Sequence, residues 1–286
     1  GLVMRTFLNP GDEVLIPDPA YLAYPACVSI AHGVPVLVPT YAKDEFRLTV
    51  EELEKKVTPK TKAILIGYPN NPTGTIMDRA SLEKVAAFAK AHDLIVIADE
   101  IYCDLTYEGQ HTCFASLPDM QERTIVLNGF SKSYAMTGLR IGYVCAPREA
   151  LEEIYKVHQY EILCASTTSQ YGAIEALRSC DDDVKAMFEE YAARREMIYQ
   201  GLVDIGLTVF KPKGAFYIFP DISCTGMDEE EFCDRLLTEE KVGVVPGTCF
   251  GPQGKNHIRI SYAASRENIA EALKRMARFV KKYKKA

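Results

Sequence analysis

The sequence predicts an α/β protein with an open, mostly parallel sheet, flanking helices and a smaller α+β region after it. Three observations carry this expectation. The first two thirds of the chain alternate apolar runs with helix-patterned segments, the arrangement of parallel strands covered by crossover helices. Several of the runs are continuous and rich in β-branched residues, as suits strands buried on both faces. Near residue 180 the pattern changes to one long charged helix and several short strand-like segments. A large domain over residues 1–180 and a small domain over 181–286 are therefore expected.

Taken in order, Leu2–Leu8 has the look of the middle or end of a helix and runs straight into Asn9-Pro10-Gly11-Asp12. A natural start carries a cap or a leader, so this chain is expected to be part of a longer protein. Strands are expected at Glu13–Ile16, Val34–Val38, Ala63–Gly67, Leu94–Ala98, Thr124–Leu127 and Ile141–Cys145. Thr49-Val50-Glu51-Glu52 has capping-box form and opens a helix through Val57. Leu82, Val85, Ala86 and Ala89 form an apolar helical stripe ending near His92. In the last third a helix is expected from about Asp183 to Leu202. Strands follow at Leu207–Phe210, Ala215–Phe219, Val242–Val245 and His257–Ile260, and a final helix carries Ile269, Leu273, Met276 and Val280 on one face.

The bulk properties narrow the function classes. The 286 residues are 48% hydrophobic, enough for one large core or two smaller ones. A net charge of −6 argues against nucleic acid as the main partner. The basic run Lys281-Lys282-Tyr283-Lys284-Lys285 reads as a solvated helix end that complements the helix dipole. No apolar run reaches membrane-spanning length and no secretory signal is visible. The nine cysteines are scattered, without a Cys-x-x-Cys pair, as expected of small core residues in a reducing, cytoplasmic setting. The five histidines are isolated, which leaves metal catalysis without support.

Ligands of open parallel sheets bind beyond the carboxyl ends of the strands. Those ends offer Asp18-Pro19-Ala20-Tyr21, Tyr68-Pro69-Asn70-Asn71-Pro72-Thr73-Gly74, Asp99-Glu100-Ile101-Tyr102 and Ser131-Lys132. Each has an ordinary structural reading: packing for Tyr21, a turn for 70–74, a helix cap for Asp99, a surface charge for Lys132 and an ion pair for Arg140. Together they offer an aromatic ring, an amide, a carboxylate with a phenol, and an amine. A planar, charged heterocycle bearing an aldehyde would use each of them. A lysine desolvated at the end of a buried strand has a lowered pKa and can form a Schiff base.

At these residues the chain resembles the class I and II aminotransferases, enzymes of fold type I that depend on pyridoxal 5'-phosphate (PLP). The matching stretches are Tyr68–Gly74, Ala98–Tyr102, Ser131–Arg140, Pro246–Gly251 and Ile258–Ala263. The resemblance implies a homodimeric enzyme moving an α-amino group between an L-amino acid and a 2-oxo acid, with aspartate/aromatic-type or broad specificity. It implies that Lys132 holds PLP as an aldimine and shuttles the proton. Asp99 would pair with the pyridine nitrogen, Tyr102 and Asn71 would bond the ring oxygen, and Tyr21 would stack on the ring. Ser131 and Arg140 would bind the phosphate, and Arg259 would clamp the substrate α-carboxylate, with Asn71 beside it.

Two departures from the family pattern stand out. Many relatives carry Ser or Thr where this chain has Gly129, so that phosphate contact is lost or falls to Ser131. The family also has an N-terminal portion, with a Gly-rich phosphate-binding turn, that lies before residue 1 here, so weak retention of PLP is expected of this piece alone. The segment Cys164–Gln170 resembles the stretch that approaches the neighbouring subunit's phosphate, and reads equally as a polar loop before a helix. The same site would also serve a PLP-dependent C–S β-lyase, and a catalytically impaired fragment or binding module is the third reading.

Overall fold

Alternating side chains of the first strands divide between two apolar layers in the computed structural model, which describes residues 1–284. The strands are β1 (Glu13–Asp18), β2 (Val34–Pro39), β3 (Thr61–Gly67), β4 (Ile95–Asp99), β5 (Thr124–Gly129) and β6 (Gly142–Cys145). Leu15, Ile64, Ile66, Val96 and Ala98 face one layer, and Val14, Ile16, Ala63, Leu65, Ile97 and Ile125 face the other. That period-2 division is what makes these runs continuously apolar. The helices are α1 (Leu2–Phe7), α2 (Ala23–Ile30), α3 (Val50–Glu54), α4 (Arg79–Ala91), α5 (Arg148–Glu161), α6 (Thr167–Ser179), α7 (Asp181–Ile205), α8 (Glu229–Glu240) and α9 (Arg266–Tyr283). Helix α4 covers the first layer with Leu82, Val85, Ala86 and Ala89, and α1, α2 and α5 contribute to the second.

The sheet order is β2-β1-β3-β4-β5-β6, with β6 antiparallel to β5 and the other pairings parallel. The order reverses at β1, whose neighbours are β2 on one side and β3 on the other. The loops after β1 and β3 therefore diverge and leave a crevice at the switch point. Gly129 has a local reason to be glycine. A Cβ there would come within 2.9 Å of Gly142 Cα and 3.0 Å of Ile141 O, because β6 closes against it. A side chain at this position would require β6 to shift away.

The second sheet is small: β7 (Tyr217–Ile218), β8 (Val245–Pro246) and β9 (Ile258–Ser261), in the order β7-β9-β8. It shares a core with α7, α8 and α9, including Ile198, Leu202, Phe232, Leu236, Met276 and Phe279. Helix α7 starts with Asp181, Asp182 and Asp183, charges that favour a helix N-terminus, and stops at Gly206 in the left-handed region.

Several sequence expectations need correction here. Leu207–Phe210 is not a strand; Thr208 makes one isolated bridge to Asp221, and the Leu207 amide closes the end of α7 on Leu202 O. The expected strand at 215–219 shortens to Tyr217–Ile218, with Ala215 at φ 57 before it; beyond it Pro220 O still accepts from Ile258 N and Asp221 makes an isolated bridge to His257. The strand at 242–245 begins only at Val245. Helix α3 stops at Glu54, where the amides of Lys56 and Val57 both turn back onto Leu53 O. Of the basic C-terminal run, Lys281 and Lys282 fall in the last turn of α9, as expected, and Lys285 lies outside the described residues. No helix among the described residues is long and apolar enough to cross a membrane.

Candidate active site

The turn after β3 holds itself together through Asn70, which leaves Asn71 free for the crevice. Asn70 Oδ1 accepts from Thr73 N at 3.2 Å and Thr73 Oγ1 at 2.8 Å, and its backbone closes on Thr75 O and Gly74 N. Gly74, at φ +74, is pressed against Pro212 and Tyr217, and its carbonyl accepts the amides of Lys213 and Gly214. The turn thereby ties the six-stranded sheet to the segment that leads into β7. Asn71 Oδ1 in turn accepts from Arg259 Nη1 on β9 at 3.0 Å. Two residues 188 positions apart in sequence, each expected at the site, thus meet directly.

The other expected residues line the same open cavity of about 500 Å³: Tyr21, Asn71, Asp99, Tyr102, Ser131, Lys132, Arg140 and Arg259. Lys132 leaves the turn after β5 with its Nζ 5.8 Å from the Tyr102 ring centre and 5.5 Å from that of Phe216. Burial among these rings lowers its pKa, Arg140 and Arg259 lower it further, and Asp99 opposes them. Arg140 is held at φ 52, and its Nη1 donates to Thr137 O at 2.9 Å. Thr137 Oγ1 donates to Ser131 O at 2.9 Å, which closes the loop between the lysine and the arginine.

Sequence reasoning passed over four residues that the fold adds. Tyr24 donates its hydroxyl to Asp99 Oδ2 at 2.8 Å and meets Tyr21 edge-on with ring centres 5.6 Å apart. Tyr217 pairs hydroxyl to hydroxyl with Tyr102 at 2.9 Å. Tyr217 and Phe250 flank the Arg259 guanidinium at 4.7 and 4.6 Å. Phe216 sits beside Lys132. The available signals were faint: a Tyr-x-x-Tyr spacing at the start of α2, and a Phe-Tyr pair that reads equally well as strand.

Asp99 is the electrostatic centre of the crevice floor. Burial raises its pKa, while the Tyr24 hydroxyl and the Ile101 amide, at 3.2 Å, lower it. Neither of these donors is charged, so a ring N–H⁺ suits the carboxylate. Burial likewise raises the Tyr102 phenol, with Tyr217 adding to it, and lowers the Arg259 guanidinium. A carboxylate, an amine, a phenol, an amide and two arginines around a cavity of this size fit PLP, whose aldehyde, ring nitrogen, ring oxygen and phosphate call for those groups.

The comparisons with known proteins point the same way. Residues 1–276 match the family described as aminotransferase class I and II. A putative aminotransferase, YugH, of Bacillus subtilis is 49% identical over 281 residues, covering 98% of this chain and 73% of that protein. An aspartate aminotransferase of Pyrococcus abyssi is 48% identical, covering 98% and 73%. Among solved structures, an aromatic aminotransferase from Pyrococcus horikoshii superposes with a TM-score of 0.96 at 46% identity, covering 98% of this chain and 76% of that one.

Proposed function

Because the chain belongs to the class I and II aminotransferase family, we propose that Lys132, Asp99, Asn71 and Arg259 carry its PLP-dependent amino-group transfer, with acidic or aromatic L-amino acids as donors. The Asn71–Arg259 hydrogen bond is the observation that carries this reading, since it joins the two sheets at the crevice that Lys132 faces. The aspartate and aromatic aminotransferases among the relatives support the substrate class.

When bound, PLP supplies an aldehyde that takes up the amino group and a ring that draws electrons away from the substrate Cα. Lys132 would hold that aldehyde carbon through its amine. Asp99 would keep the ring nitrogen protonated, with Tyr24 fixing the carboxylate's orientation. Tyr102 and Asn71 would bond the ring oxygen, Tyr21 would cover one ring face, and Ser131 and Arg140 would receive the phosphate. Arg259 would take the substrate α-carboxylate with its planar fork, which places the Cα–H near the lysine. The amine freed by the incoming donor would then move one proton from the substrate Cα to the former aldehyde carbon. Its lowered pKa favours the neutral form this task needs. With a second 2-oxo acid in place of the donor, Lys132 would move the proton in the opposite direction to complete the exchange.

The same reading includes a division near residue 180, a cytoplasmic location and assembly with a second copy. The exposed Tyr160, Ile162, Leu163, Tyr171 and Leu177, on and between α5 and α6, support that assembly. The test is an initial-rate study with aspartate, phenylalanine and tyrosine as donors and 2-oxoglutarate as acceptor. Parallel reciprocal plots and preference for these donors are expected. Intersecting plots, or release of pyruvate and ammonia from cystathionine without an acceptor, would count against the reading.

A further inference from the structure

Asp18 closes β1 only three residues before Tyr21, yet it is buried at 3% exposure and is not among the residues that line the crevice. Its carboxylate accepts from a backbone amide, Gln253 N, at 3.4 Å through Oδ1 and 3.3 Å through Oδ2. A carboxylate taken out of water without a cation costs free energy. Burial accordingly pushes its pKa up to about 6, and the Gln253 bond holds it back.

The surrounding backbone is shaped to admit this group. Gly251 sits at φ +126, and a Cβ there would overlap Asp18 Oδ1. Thr40 N and Thr40 Oγ1 both donate to Asp18 O at 2.8 Å, which pins the end of β1 to the residue that follows β2. Two residues on, Ala20 N donates to Phe250 O at 2.9 Å. The end of β1 thus grips the 250–253 segment at two points. Phe250, at one of them, is an aromatic wall of the Arg259 guanidinium.

We propose that Asp18 is a positioning residue for substrate-carboxylate recognition: its buried carboxylate fixes the Phe250–Gln253 segment and thereby the wall that orients Arg259. The proposal rests on the reading of Arg259 as the carboxylate clamp. It gives a motif residue outside the cofactor contacts a role that acts through another element, as supporting groups around binding residues do.

The test is calorimetric titration of the PLP-loaded protein with two unreactive carboxylates, maleate and 3-phenylpropanoate, alongside steady-state rates. Asp18→Ala is expected to weaken both ligands about tenfold and to raise KM for the amino donor similarly, with kcat changed less than about threefold. Asp18→Asn should restore most of the affinity, because its side-chain oxygen accepts the same amide. Wild-type affinity in Asp18→Ala would overturn the proposal, as would a fall in kcat at constant KM. Arg259→Gln run in parallel separates the two levels. Loss of affinity there with none in Asp18→Ala removes Asp18 alone, whereas no loss in Arg259→Gln removes the clamp and the proposal together. Should Asp18→Ala fail to fold, Gly251→Ala drives a methyl group into the carboxylate. The same weakening is expected of it, and unchanged affinity would be the refuting result.

Discussion

Asp99 ends a buried parallel strand and Lys132 and Asn71 stand on short turns just after two others, whereas Arg259 stands on a four-residue strand whose walls, Tyr217 and Phe250, arrive from two other segments. The first side of the crevice is rigid for local reasons. Each turn begins where a ladder of backbone hydrogen bonds ends, and Asn70 shows how such a turn can satisfy itself. The second side has little regular structure of its own. Its β7 and β8 are two residues each, and the segments that shape it are held by the other sheet, through Gly74 O and through Asp18. On the proposed reading, chemistry that needs fixed groups sits on the self-supporting side, and recognition of the substrate's carboxylate sits where the two sheets meet. A change on the first side should therefore act on turnover, and a change on the second should act on binding.

The largest effect should come from Lys132→Ala. Loss of the amine should cut turnover by at least about 10³-fold and abolish the visible absorbance of the bound cofactor, while far-ultraviolet circular dichroism stays as in the parent. Retained turnover would break the assignment of the first side. Tyr24→Phe should be milder. It deletes one hydrogen bond to Asp99, and a bond to a charged group is worth about 1.5–3 kcal/mol, so kcat should fall roughly tenfold or more while KM changes little. A change in KM alone would move Tyr24 to the recognition side of the comparison.

The smallest effect is on stability and tests the link between the two sides. The folded-state pKa of Asp18, about 6, lies above the ordinary 3.8, so the native protein holds this proton more tightly than the unfolded chain. The group's contribution to stability is therefore fully present below 3.8 and is lost as pH rises through about 6. With the shift discounted for solvent screening, the loss should be about 2 kcal/mol. Urea unfolding across that window should show the decline in the parent and a flatter profile in Asp18→Asn. Equal slopes in the two proteins would show that Asp18 is not titrating where its surroundings place it.

Much of the fold was legible because its signals are local. All six strands of the main sheet overlap the apolar runs that predict them; in β1, β3 and β4 burial on both faces removes the polar alternation, while β2 and β6, at the sheet's edges, are mostly half-buried or exposed. The helices α2, α5, α6 and α8 were not expected from the sequence; α2 has Pro25 in its first turn, where proline is tolerated. In the last third, Leu207–Phe210 has strand composition but no strand ladder to join beyond one bridge. Composition describes what a segment tolerates, and pairing depends on what lies beside it.

Lys132, Asp99 and Asn71 could be picked out from the sequence as polar groups where recognisable apolar runs end, whereas Arg259 and the role of each came from the family resemblance. Tyr24, Tyr217 and Phe250 could not, since aromatic residues near strands are ordinary core material. Their roles exist only once Tyr24 reaches Asp99 from α2 and the guanidinium of Arg259 enters the space between two rings. The same holds for Gly129 and Gly251, which lie at close approaches of β6 and of Asp18. The amino-acid sequence by itself determined which elements form and which reactive groups end them, because hydrogen-bond ladders and burial periodicity act over neighbouring residues. Only the tertiary structure decided what each reactive group touches, because those contacts join residues as far apart as Asn71 and Arg259, or Asp18 and Gln253, and depend on how the two sheets close on one another.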